Sequence, residues 1–131
     1  VLETLKYYNC ISIFMGKSVI AAMDDILFSS RIDSTAKFNK VNVDFVKSRD
    51  DLFEKARMNN ASLILLDLDF KEFGPMRTIS QIKKDAVLRN ATVIGYLEEH
   101  NTETKAEAVG AGVDAVMLKE ELDGKLSKIL S

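Results

Sequence analysis

One proline, one cysteine and one histidine stand in this chain of 131 residues, and each scarcity closes off a class of function. Cys10 has no second thiol to meet, so no internal disulfide frames the fold, and a reducing cytoplasm is the expected compartment. It reads as a small buried or bystander thiol. His100 lies in a polar loop without another histidine beside it, which argues against a histidine metal site and against a phosphohistidine. The formal net charge is only −2, so no basic surface points to nucleic acid. No apolar run approaches the roughly eighteen residues that crossing a bilayer takes, so no membrane partner is expected. The N-terminal "VLETLKYYNCISIF" lacks the basic start, unbroken apolar stretch and small-residue cleavage site of a secretory signal. Internal repeats and low-complexity segments are missing as well.

What remains is an ordinary globular balance, 47% apolar and 29% charged, in a length suited to one core. "MGKSVIAAM" looks like a fresh start after the opening residues. Residues 1–15 are therefore expected to be an extension, as an extra strand, a homodimer contact or a loosely held tail, and residues 16–131 the domain.

From Ser18 the pattern alternates between strand and helix. "SVIAAM" (18–23) is short and apolar, and Phe28, Ile32 and Ala36 follow at the four-residue spacing of one helix face. "VNVDFV" (41–46) alternates apolar and polar, as a strand near a sheet edge does. Ser48 and Asp51 form a capping pattern for the helix that carries Leu52 and Ala56. "SLILLDL" (62–68) is continuously apolar and suits a central parallel strand. The single proline, Pro75, is placed at a first helical position, ahead of a face marked by Met76, Ile79 and Ile82. "ATVIGYL" (91–97) predicts a fourth strand, "NTETKAEAVGAG" a helix ended by its glycines, and "DAVMLK" (114–119) a fifth strand. "EELDGKLSKIL" predicts a last helix, weakened by Gly124. Strictly alternating strands and helices imply an α/β fold, a doubly wound five-stranded parallel sheet in the order 2-1-3-4-5 between two helical layers.

In that order the carboxyl ends of the strands share one rim, and the charges gather there. Asp24 and Asp25 follow the first strand, Asp67 and Asp69 the third, Glu98 and Glu99 the fourth, and Lys119 ends the fifth. Carboxylates in one cleft repel unless a cation neutralises them, and hard oxygen ligands suit Mg2+. A carboxylate held between a metal and a lysine is poised to attack phosphorus. Each aspartate taken singly reads equally as a helix cap or a solvated loop residue. The combination is what points to chemistry.

Over about residues 18–129 the chain resembles the receiver domain of two-component response regulators, the CheY-like family. "AAMDDILFSSRI" is similar to the family's first-strand segment, "LILLDLDF" to its phosphoacceptor segment and "AGVDAVMLKE" to its last-strand segment. The resemblance implies a CheY-like, flavodoxin-like three-layer sandwich with Asp67 as phosphoacceptor and Lys119 as the phosphate-binding lysine. It implies Mg2+ held by Asp24, Asp25, Asp67 and the backbone carbonyl of Asp69, the Asp69 side chain being left free to bias an attacking water. It also implies a histidine kinase or phosphotransfer protein as donor, a protein target for the output, and a domain that catalyses its own modification without being a conventional enzyme. With no output domain read in the sequence, a stand-alone receiver is the expectation.

Five positions depart from the family. Leu97 stands where a hydroxyl residue closes the fourth strand, and Val116 where an aromatic switch residue is usual. Glu98 replaces a small residue and either covers the pocket, pairs with Lys119 or turns to water. Glu120 follows the lysine where proline is usual, and Lys71 stands where another proline follows the phosphoacceptor. These departures motivate a second expectation, a pseudo-receiver of the same fold that binds a partner or dimerises without being phosphorylated. A third, a flavodoxin-like binder of flavin or nucleotide, is opposed by the loop "DDILFSS", which has no glycine cluster to wrap a phosphate.

Overall fold

The computed structural model describes residues 18–131. The expected extension, residues 1–15, and Cys10 with it, lie outside the described residues. Five parallel strands form one sheet in the order β2-β1-β3-β4-β5: β1 (Ser18–Ala22), β2 (Asn42–Val46), β3 (Leu63–Asp67), β4 (Thr92–Leu97) and β5 (Ala115–Leu118). Five helices connect and follow them: α1 (Ile26–Phe38), α2 (Arg49–Met58), α3 (Pro75–Lys84), α4 (Thr102–Ala111) and α5 (Lys119–Ile129).

The helix starts follow from short local contacts. Asp25 caps α1 by accepting from the Phe28 N–H at 3.0 Å, and Ser48 Oγ caps α2 by accepting from the Asp51 N–H at 3.2 Å. Asp51 itself pairs with Lys55 at 3.4 Å, so only the serine half of the expected capping pattern forms. Gly74 turns with φ 67° and delivers Pro75 as the first residue of α3, as the sequence predicts. Asn101 caps α4, and Gly112, at φ 109°, ends it in a backbone conformation that side-chain-bearing residues avoid.

Side chains alternate across the sheet and build two cores. On one face Ile20, Ile64, Leu66, Val93 and Leu97 pack with Leu52 of α2, Ile79 and Ile82 of α3 and Ala108 of α4. On the other, Val19, Leu63, Leu65, Ile94 and Tyr96 pack with Phe28 and Ile32 of α1 and Leu122 and Leu126 of α5. Burying each of these aliphatic side chains contributes about 1.5–3 kcal/mol, which is why the continuous run in β3 takes the centre of the sheet.

One local expectation is corrected. Lys119 does not end β5 but opens α5, where Glu121 reaches back to accept from the Leu118 N–H at 3.2 Å. α5 runs on through Gly124, which faces open space, and Leu122, Leu126 and the buried Leu130 anchor it.

Candidate functional site

The switch point lies between β1 and β3, whose chains leave the same rim toward opposite faces of the sheet. Asp67 is the last residue of β3 and is half-buried. Its carboxylate accepts from the Asp69 N–H at 2.9 Å, which makes a tight turn of the loop. Burial nonetheless dominates and holds the Asp67 carboxyl above its ordinary pKa, with the charges of Asp69 and Asp25 adding to the effect.

Asp25 and Lys119 meet across the rim. The Lys119 ammonium is bonded to the Asp25 carboxylate and lies 5.4 Å from the centre of the Phe28 ring. The lysine and then the Phe28 N–H hold the Asp25 carboxyl below its usual range, while Asp25 raises the lysine. Glu98 Oε2 stands 3.5 Å from the same ammonium, from a largely exposed side chain. Of the three places expected for Glu98, it takes the pairing with Lys119. Beside them an open cavity of about 350 Å³ is lined by Leu27, Phe28, Arg31, Glu98, Lys119 and Asp123.

The residues expected to hold Mg2+ are not brought together as ligands. Asp24 is exposed and pairs with Lys47 at 3.1 Å. Asp25 is occupied by the cap of α1 and by Lys119. The Asp69 carbonyl accepts from the Lys71 N–H at 3.0 Å. Among the described residues no group of three or more histidine, cysteine, aspartate or glutamate side chains is arranged to hold a metal ion. In this arrangement the donor set does not fit a divalent cation; an ammonium already neutralises Asp25.

The Asp69 side chain is not free either. Its Oδ2 accepts from the Glu98 N–H at 2.9 Å and ties the loop after β3 to the loop after β4. Leu97 is 2% exposed and sits in the core under α2, α3 and α4. Val116 packs partly buried against the same core, and Glu120 is exposed at the start of α5.

Sequence reasoning passed over Tyr96, the register partner of Asp67 on β4. It is 2% exposed, and its ring meets Phe28 edge-on with centroids 5.2 Å apart. Burial, followed by the Asp67 carboxylate, holds the phenol above its ordinary pKa. The signal was available in "ATVIGYL", where tyrosine is the hydroxyl nearest the strand end in a run destined for burial.

No family model matches the chain, and no curated protein does. Solved structures do match. The signal receiver domain of the response regulator NarL from Mycobacterium tuberculosis superposes with a TM-score of 0.74 at 15% identity, covering 87% of this chain and 92% of that one. The phosphorylated cyanobacterial phytochrome response regulator RcpA gives 0.73 at 16% identity, covering 87% and 91%. The Mn2+-bound form of response regulator Rcp1 gives 0.69 at 19% identity, covering 86% and 91%. No helix among the described residues is long and apolar enough to cross a membrane. In strand order, layering and extent, the chain has the fold of the response-regulator receiver domains.

Proposed function

We propose that this chain is a receiver-type signalling domain in which Asp67 accepts a phosphoryl group. The observation that carries the reading is the position of Asp67, a half-buried carboxylate ending the central strand at the switch point. The Asp25–Lys119 pair shares its rim, and neighbours of the same fold include a phosphorylated response regulator. One carboxylate oxygen attacks phosphorus, an O–P bond forms, and the P–N bond of a donor phosphohistidine breaks. The electron pair passes to the imidazole nitrogen. A small acyl phosphate serves in the same way, with its carboxylate as leaving group. The histidine kinase or phosphotransfer protein that would present such a donor is part of the proposal, as is a protein target that reads the changed rim.

Chemically, a carboxylate raised by burial is a better nucleophile than a solvated one, and a fixed ammonium nearby favours an incoming dianion. The Mg2+ expected from the resemblance has a counterpart in the Mn2+ of Rcp1, but the donors of this chain, as placed, do not fit it. The test is incubation with acetyl phosphate, with and without Mg2+, read by intact mass and by peptide mapping of Asp67. A gain of one phosphoryl group at Asp67, absent in Asp67→Asn, is the expected result. No gain under conditions that modify an ordinary receiver would overturn it, and leave the fold as a binding module only.

A further inference from the structure

Receiver chemistry at Asp67 needs a hydrogen-bond donor beside the phosphoryl group, and position 97 offers none, since Leu97 is turned into the opposite core. Tyr96 is placed to be that donor. Asp67 and Tyr96 are register partners on adjacent parallel strands, so both side chains leave the same face of the sheet. The Tyr96 hydroxyl is fully buried and has no hydrogen-bond partner among the described residues. A buried phenol usually finds one, and an unmade bond there carries a desolvation cost. Its ring is fixed edge-on against Phe28, the residue whose N–H donates to the capping Asp25 carboxylate and whose ring lies beneath Lys119. The phenol thus belongs to the same packed unit as the charges of the rim.

We infer that Tyr96 supplies the hydroxyl of this site, donating from Oη to the Asp67 carboxylate and, once Asp67 is modified, to a non-bridging phosphoryl oxygen. The inference rests on the phosphoacceptor reading above. No bond is made or broken at Tyr96; it positions the reacting carboxylate and holds the oxygens of the product. Burial and the nearby Asp67 charge both keep the phenol protonated. A phenol kept protonated donates throughout the range in which Asp67 is ionised. The departure at Leu97 is in this view a relocation of the hydroxyl by one residue and onto the other face of β4.

The experiment compares the wild type, Tyr96→Phe and Asp67→Asn in two measurements. The first is modification by acetyl phosphate and the decay of the product, followed by intact mass. The second is the titration of the Asp67 carboxyl in the unmodified protein by 13C NMR. Phenylalanine removes one oxygen that bonds nothing else, so the fold is retained, which an amide correlation spectrum verifies. Tyr96→Phe is expected to slow modification roughly tenfold, the worth of one hydrogen bond to a charged group, and to raise the Asp67 titration. Equal rates and an equal titration in the two proteins overturn the inference. A wild type that gains no mass, while Tyr96→Phe still raises the Asp67 titration, overturns the phosphoacceptor reading and supports the Tyr96–Asp67 contact.

Discussion

The ammonium of Lys119 rests on the carboxylate of Asp25, the residue that caps α1, and not on Asp67. One ion pair therefore joins the start of α5 to the start of α1, over a span of 94 residues. Asp25 is depressed and Lys119 is raised, so the pair stabilises the fold above the ordinary carboxyl value of 3.8 and below the ordinary lysine value of 10.5. That contribution is lost as pH falls through the lowered Asp25 value or rises through the raised Lys119 value.

Replacing Asp25 by asparagine isolates the charge, because asparagine caps a helix as well as aspartate does. The Asp67 carboxyl is expected to titrate lower in Asp25→Asn, for two reasons. A like charge disappears from its surroundings, and the Lys119 ammonium is released toward it. A 13C NMR titration of Asp67 in the two proteins measures the effect. An unchanged or higher value would mean that neither the Asp25 charge nor the lysine it holds acts on Asp67.

Asp67 itself costs the folded state something in its ionised form. Its folded pKa is raised by burial, so the cost is fully present above that value and disappears below 3.8, where the carboxyl is neutral in both states. Asp67→Asn is therefore expected to be more stable than the wild type at neutral pH. The difference should shrink to nothing as the pH is lowered past the unfolded value. Urea midpoints across that range test it, and a neutral-pH loss of stability in Asp67→Asn would count against a strained carboxylate.

The strands and helices were legible because their signals are local and periodic. Four apolar residues in succession placed β3 at the centre, and the spacing of Phe28, Ile32 and Ala36 marked the buried face of α1. The rim was legible as a list of charges but not as a set of partners. Nothing in "MDDILF" says whether Asp24 or Asp25 will turn inward; the N-cap geometry decides it, sending Asp25 to Lys119 and Asp24 to Lys47. The free Asp69 side chain was a misreading for the same reason, since its partner is a backbone N–H 29 residues away. Tyr96 was hidden by its composition, one more apolar-looking residue in a buried strand, until register paired it with Asp67.

Glu98 shares the Lys119 ammonium with Asp25 at 3.5 Å, and it does so from an exposed side chain. An exposed pair of this kind contributes ~0.2–1 kcal/mol. Glu98→Ala is thus expected to speed acetyl phosphate modification of Asp67 by roughly two- to fivefold, by freeing part of the lysine charge for the incoming dianion. The gain should shrink as salt is added, because the charge it removes is solvent-facing. Initial rates at low and high ionic strength are the measurement. A slower variant would mean that Glu98 assists the donor, for which its place beside the cavity of Phe28 and Lys119 gives room.

Leu97→Thr restores the hydroxyl that receiver domains carry at the end of the fourth strand, and it serves as a direct test of where side chain 97 points. Leu97 is 2% exposed and packs in the core with Leu66 and Leu68, on the face away from Tyr96. A threonine there removes buried methyl groups and leaves its hydroxyl among apolar neighbours. The expected loss of stability is roughly 2–4 kcal/mol, with no acceleration of Asp67 modification. Urea unfolding and acetyl phosphate kinetics on the same preparation check both halves. A variant that keeps its stability and modifies faster would require side chain 97 to reach the rim, and would return to it the donor role inferred for Tyr96.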